Sequence, residues 1–216
     1  MAAGDISDSL VADVRSRTGT QSQSGILTAQ IFAYLNMGIQ DLAQRLNDLA
    51  LDTLTRTATG TVSSASAPSH STAVYFDLPA AFMRERMVKY VDSQCTRLDI
   101  SRIDEIDYPG SHRAATTTEP WYYILEGRCY IQAGVQTLVA YTLEYTAVPV
   151  TITTDVDPDT PPILNDVIVD FAVALCRWQK DEIQEYLRIM DSYRKRIMVI
   201  NSRARGPLSE REPGDL

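Results

Sequence analysis

The chain is 216 residues long, enough for one domain with a real core or for a core carrying a large insertion. With 44% hydrophobic and 22% charged residues it has ordinary soluble usage, and no apolar run approaches the roughly 20 residues of a membrane span. A net charge of −8 argues against a surface that grips nucleic-acid phosphates, which needs clustered Lys and Arg to displace counterions.

The opening MAAGDISDSLVADVRSR has no basic stretch followed by an apolar one, so no signal peptide is expected. Residues 5–18 read as a first helix with Ile6, Leu10, Val11 and Val14 as its stripe, Asp5 as cap and Gly19 as a left-handed stop. After the polar linker 20–25, a longer helix starts at Thr28, the expected cap, with Leu27 and Phe32 as a hydrophobic staple. Its stripe is Ile31, Leu35, Ile39, Leu42, Leu46 and Leu49. Gly38 lies inside it, marking either close backbone packing or simple tolerance.

From Thr53 the period changes to two. A strand over 53–59, a Ser/Ala/Thr-rich loop and a returning strand over 73–78 are predicted, then one helical turn at 80–84. Residues 87–92 read as a strand with Val88 and Tyr90 on one face, 101–106 as a short helix and 108–119 as a loop. The plainest β region is 120–149. It resolves into strands over 121–125, 128–132 and 137–146 with tight turns at Glu126-Gly127 and 133–136, an antiparallel meander.

Pro161-Pro162 then pre-sets a helix over 163–179 that is apolar nearly all round, the expected centre of the helical part. An amphipathic helix over 181–205 follows, with Ile183, Leu187, Met190, Tyr193, Ile197 and Ile200 as its stripe. Its bases Arg194, Lys195, Arg196, Arg203 and Arg205 gather toward the negative end of the dipole. The fold class is thus α+β: a bundle of about four helices, two N-terminal and two C-terminal, with an inserted antiparallel β region. The expected divisions are 1–52, 53–160, 161–205 and a tail 206–216.

Reactive side chains do not converge. His70 and His112 both fall in loops without evident partners. Asp155, Asp157 and Asp159 imitate the start of a calcium loop, but Thr160 and Asp166 stand where that loop needs Gly and Glu, so capping and solvation are the simpler role. Nucleotide, zinc-protease and hydrolase motifs are absent from the sequence. Cys95, Cys129 and Cys176, widely spaced and without a CxxC, read as small apolar residues. Trp121, Tyr123 and Tyr130 offer a stacking face for a sugar or peptide, with core packing as the competing use. The residues therefore point to an assembly or binding protein.

The order helices–strands–helices, with PWYY at Pro120, Trp121, Tyr122 and Tyr123, then Gly127, Ile131, LEY ending at Tyr145, Pro149 and the PPILNDVIVDFAVAL segment, resembles the head-to-tail adaptor (connector) proteins of tailed bacteriophages. Ala133-Gly134 departs from the proline that such sequences carry after the second strand. The resemblance implies a virion neck protein with no catalysis and no cofactor, assembled in the host cytoplasm as a homo-oligomeric ring of about twelve copies. The ring would sit under the portal protein and receive a tail or nozzle protein, with genomic DNA passing through its lumen and no membrane involved. Arg194, Arg196, Arg203, Arg205, Leu208, Arg211 and Leu216 are the candidate portal contacts, and the loops 63–71 and 111–119 candidate contacts with tail components or neighbouring subunits. The rival expectations are another head-completion or tail-terminator factor, or a carbohydrate- or peptide-binding module.

Overall fold

The computed structural model describes residues 5–19, 26–64, 73–98, 115–116, 118–133 and 139–204. Two compact units emerge, Thr55–Ala147 and a second made of Met1–Leu54 with Val148–Leu216. The chain is an α+β protein with two mostly antiparallel sheets. The predicted short helix at 101–106, the turn at 133–136 beyond Ala133 and both histidines lie outside the described residues.

The helical unit contains α1 (Asp5–Thr18), α2 (Thr28–Arg45), a 3₁₀ segment (Asp48–Leu54), a second 3₁₀ turn (Pro162–Leu164), α3 (Asn165–Gln179) and α4 (Ile183–Ala204). α3 packs against each of the other three α-helices. Its Val167, Ile168, Val169, Phe171, Ala172, Val173, Ala174 and Cys176 are all buried, which is why it carries apolar residues on nearly every face. Trp178 departs from that pattern: at the end of α3 it is 55% exposed. Gly38 of α2 marks close packing, since a Cβ there would lie 3.2 Å from the Phe171 Cβ and 3.3 Å from the Ile168 carbonyl oxygen.

Helix ends are set by distant groups as much as by local sequence. α1 is capped by Asp157, whose Oδ1 accepts from the Ile6 and Ser7 amides at 3.0 and 2.9 Å; Asp5, the expected cap, stands as the first residue of the helix. At α2 the cap position is Leu27, and its amide donates to Gln30 Oε1. Thr28, already helical, instead accepts from Arg15 Nη2 at 2.7 Å. The staple is displaced by one residue: Leu27 is exposed, and Ile26 and Ile31 are the buried pair at N′ and N4. α2 also stops at Arg45, so Leu49 is exposed and Leu51 and Leu54 of the 3₁₀ segment take the buried places. The stop is made by Asn201, which accepts from the Asn47 amide at 2.9 Å and donates to the Arg45 carbonyl at 3.0 Å. Asn47 in turn accepts from the Ala50 amide, opening the 3₁₀ segment.

The segment after Val148 is lashed to α2 by Asn36, which accepts from the Ile152 amide at 2.8 Å and donates to its carbonyl at 3.0 Å. Asp157→Ala is expected to remove the α1 cap, lowering stability by about 1 kcal/mol. Faster hydrogen exchange at the Ile6 and Ser7 amides would report it directly; unchanged exchange there would refute the capping role.

The β unit contains β1 (Thr55–Thr61), β2 (Ser63–Ser64), β3 (Ala73–Asp77), β4 (Phe82–Tyr90), β5 (Ser93–Gln94), β6 (Thr96–Arg97), β7 (Trp121–Leu125), β8 (Arg128–Gln132) and β9 (Ala140–Ala147). One sheet runs β1-β9-β4-β5 and the other β2-β3-β8-β7-β6, antiparallel except for β6 beside β7. A common core holds Val88, Tyr90, Leu143 and Tyr145 from the first sheet with Val74, Phe76, Tyr122, Cys129 and Ile131 from the second. Phe76 and Tyr141 stack across it with centroids 3.7 Å apart.

Two β expectations are corrected. In place of the helical turn at 80–84, residues 80–81 make a tight turn closed by the Phe82 amide on the Pro79 carbonyl at 2.8 Å, and 82–84 already belong to β4, whose pairing with β9 shifts register at two places. The meander also breaks: β7 and β8 form a hairpin, but β9 joins the other sheet between β1 and β4. The hairpin turn has positive φ at both Glu126 and Gly127, 49° and 77°, the I′ geometry that matches strand twist.

Candidate functional site

The last helix presents Ser192, Lys195, Arg196, Val199, Ile200 and Arg203 at i, i+3, i+4 and i+7 spacing, which places them on one face. That face forms one wall of a groove of about 420 Å³, and Ile163, Asp166 and Val167 form the other. The groove floor is apolar and its rim is basic. Ile163 is 76% exposed and Val199 46%, two large apolar side chains lining the same groove.

Ion pairs fix the geometry around it. Arg196 Nη1 lies 2.5 Å from Asp170 Oδ2, and Asp170 Oδ1 accepts from Arg17 at 2.8 Å. Arg17 also reaches Asp13 at 2.7 Å and Asp166 at 3.1 Å. Partial burial pulls the Arg17 pKa down, but the bonds and charges of Asp13, Asp170 and Asp166 more than offset this and raise it. One cluster therefore ties α1, α3 and α4 together and neutralises the two acids near the groove. Lys195 pairs with Asp191 at 2.6 Å in an exposed i,i+4 contact.

Among the candidate portal contacts, Arg196 and Arg203 meet in this groove. Arg194 is exposed, two residues from Arg196 and hence on a different side of the helix. Arg205, Leu208, Arg211 and Leu216 lie outside the described residues. Lys195 was read only as one of the bases at the helix end, and Val199 and Ile163 were not singled out as surface residues; the exposed partners of a buried stripe are visible only once the stripe's covering is known.

A second apolar area lies at the turn between α3 and α4. Trp178, Ile183 and Leu187 are 55%, 48% and 53% exposed, with Tyr186 tilted against Trp178 at 5.2 Å. Sequence periodicity placed Ile183 and Leu187 in the buried stripe, but that stripe is buried only further along, at Tyr193 and Ile197. The turn is a Schellman motif, with the Glu182 amide on the Arg177 carbonyl and the Asp181 amide on that of Trp178. Asp181, at φ 59°, takes the left-handed place usually given to glycine.

The family-pattern residues of the β region are mostly core. Pro120, Tyr122, Tyr123, Tyr145 and Pro149 are buried, Trp121 is half-buried and Gly127 makes the hairpin turn. Tyr123 is stacked on Tyr130 at 5.1 Å, and Tyr130 meets Tyr75 at 5.9 Å, with the Arg128 guanidinium 4.8 Å over Tyr75. These rings present their faces to one another, which leaves little platform for a sugar.

Two of the three acids of the 155–159 turn serve the backbone: Asp157 caps α1 and Asp159 accepts from the Val150 amide at 3.2 Å. Among the described residues no group of three His, Cys, Asp or Glu side chains is placed to hold a metal. The three thiols are free and buried. Burial pushes the Cys95 pKa up to about 12 and that of Cys176 to about 11, with Cys129 also raised, so all three behave as apolar groups, not nucleophiles. No helix among the described residues is long and apolar enough to cross a membrane.

The described helices present apolar and basic surface. No curated protein sequence matches the chain. The family model described as SU10 adaptor protein does match it, over residues 4–211, nearly its whole length. The chain belongs to the SU10 adaptor family, and is a head-to-tail adaptor protein of a tailed bacteriophage.

Proposed function

We propose that this subunit is a structural, non-catalytic part of the virion neck, assembling as a ring of about twelve copies that joins the portal protein to a tail or nozzle protein. The carrying observation is the pair of exposed apolar areas on the helical unit, around Trp178, Ile183 and Leu187 and around Ile163 and Val199. Contiguous exposed apolar side chains are the mark of surfaces that are covered in an assembly. Arg194, Arg196 and Arg203, continuing into Arg205, Leu208, Arg211 and Leu216, contact the portal in this reading. The β unit and its loops face tail components or neighbouring subunits. A subunit of net charge −8 supports a lumen that lets DNA pass without adhesion.

Leu187→Asp is expected to prevent ring formation while leaving the monomer's melting temperature within about 1 °C, because the side chain is 53% exposed in the subunit. Each lost apolar contact weakens a subunit interface by about 2 kcal/mol, roughly thirtyfold. Native mass spectrometry of the subunit with purified portal protein measures it. A ring-sized complex for the unaltered chain and free subunits for the variant are expected. Failure of the unaltered chain to join the portal would sink the proposal.

A further inference from the structure

Among the described residues, the strands that bound the two sheets differ sharply as templates for a further strand. β2, β5 and β6 hold two residues each. β5 pairs with β4 only at Lys89 and Tyr90, and the rest of β4 carries Arg84, Glu85 and Arg86 with two shifts of register, features that deter a foreign strand. β1, at the other edge of the same sheet, has none of these defences. It runs seven residues, TRTATGT, without proline, acid or any register shift against β9, and its one charge is Arg56. Its threonines suit an extended backbone.

The register fixes which backbone groups β1 leaves over. The Val62 amide donates to the Val139 carbonyl at 3.1 Å, one step beyond the pairing of Thr61 with Ala140. In an antiparallel ladder every second residue bonds to its partner, and the residues between turn their groups the other way. Arg56, Ala58 and Gly60 therefore bond to Tyr145, Leu143 and Tyr141 of β9. The amides and carbonyls of Thr57, Thr59 and Thr61 point away from β9, and no strand among the described residues meets them. All three threonines are exposed. At the near end the Thr55 carbonyl accepts from Arg56 Nη1 at 3.0 Å, which closes the row there.

We propose that this edge takes an extended segment of the tail or nozzle protein as an added strand beside β1. Alternating outward donors and acceptors match another extended backbone, and side chains then select which one. One face of the segment lies along the exposed threonines. The other lies beside Ala58, which packs at the margin of the β core, so that face of the segment carries apolar residues. A second copy's β1 could make the same backbone bonds, but seven residues fall well short of the roughly 20–30 per side that hold two proteins together. A segment of a protein already held in the neck needs no such area, because tethering raises its local concentration. The proposal rests on the reading of this chain as a neck protein and states what its β unit binds.

Residue-resolved hydrogen exchange on the full chain, alone and then bound to purified portal and tail proteins, tests it. In the free chain the Thr57, Thr59 and Thr61 amides should exchange at least about tenfold faster than those of Arg56, Ala58 and Gly60, and in the complex they should slow to match them. Thr59→Pro deletes an outward amide and no bond to β9, so the portal-bound chain should keep its fold and lose at least about tenfold in affinity for the tail protein. Unchanged exchange at Ala58 and Gly60 verifies that fold, and Thr57→Pro repeats the test at the next outward position. Thr59→Val keeps the amide and should bind within about twofold of the unaltered chain. Slow exchange of the three threonines in the free chain overturns the proposal. So does a tail protein that docks while those amides stay fast, or that binds Thr59→Pro and Thr57→Pro undiminished; either result leaves the neck reading intact. Thr59→Val binding as poorly as Thr59→Pro also overturns it, by showing that side chains make the contact. An unaltered chain that joins neither protein removes the neck reading, and this proposal with it.

Discussion

Tyr193→Ala is expected to lower the stability of the helical unit by about 3–5 kcal/mol, the usual range for removing a large buried ring, and to shift its thermal transition down by about 10 °C. Tyr193 is 0% exposed and lies on α4 with its ring 5.3 Å from that of Phe171 on α3. Its hydroxyl donates to Asp41 Oδ2 of α2 at 2.6 Å, and the same oxygen accepts from Arg45 Nε at 2.7 Å. One side chain thus joins three helices. Tyr193→Phe separates the two contributions. It keeps the ring and removes a bond to a carboxylate that is partly reachable by water, so about 1–2 kcal/mol is expected, at the lower end for charged acceptors.

Alkaline pH offers an independent check. Burial first, and the Asp41 bond and charge second, raise the Tyr193 phenol pKa well above its ordinary value of 10.0. In the unfolded chain the phenol ionises above pH about 10, while in the folded chain it stays neutral, so its stabilising effect is complete below that pH and lost above it. The slope contributed is at most about 1.4 kcal/mol per pH unit. Tyr193→Phe should lose stability less steeply between pH 10 and 11 than the unaltered chain. Identical slopes in a denaturant series across that window would contradict the buried, Asp41-bound phenol.

Gly38→Leu is expected to be nearly as damaging, at about 3 kcal/mol, for the opposite reason: too much volume, not too little. The nearest atoms to a new Cβ are the Phe171 Cβ and Cδ1, both at 3.2 Å, and the Ile168 carbonyl oxygen at 3.3 Å; the ring could turn, but the Cβ and the carbonyl are fixed parts of α3. The α2–α3 approach would have to widen, loosening Ile31, Leu35 and Ile39 along the same face. Gly38→Ala gains about 1 kcal/mol of helix propensity and meets the same contact, so the two effects nearly cancel. The diagnostic is coupling: combined with Phe171→Ala, Gly38→Leu should cost clearly less than alone, because the cavity on α3 takes up the new side chain. Strict additivity of the two changes in calorimetric unfolding would reject close packing as the cause.

Much of the architecture was legible before any fold was known. The bounds of α1, the strands β7 and β8 and the Glu126-Gly127 turn follow from local chemistry, since a two-residue turn and a period of two or 3.6 are properties of neighbouring residues. The greasy character of α3 likewise announced its central place. Where the reading failed, the deciding group was far away in sequence. β9 alternates as a strand should, with Leu143 and Tyr145 inward, but alternation names a face and not a partner, and the partners are β1 and β4. The apolar spacing of α2 continues to Leu49, yet Asn201 ends the helix at Arg45 from the other side of the unit. Ile183 and Leu187 share the period of Tyr193 and Ile197, but no described helix covers them.

The candidate surface divides in the same way. The basic end of α4 could be read directly, because its arginines suit the negative end of a helix dipole wherever the helix sits. That Arg196 and Arg203 share a groove, with Arg194 turned from it, depends on which face α3 occupies.

By itself, the sequence determined the kind of each long helix and the β hairpin, which depend on residues within a few positions of one another, and the acidic balance of the chain. Only the tertiary structure decided how strands are shared between two sheets, where α2 stops and which apolar side chains stay exposed. Those outcomes turn on burial and hydrogen bonding between groups as many as about 150 residues apart, such as Asn47 and Asn201, and no local pattern encodes such a meeting.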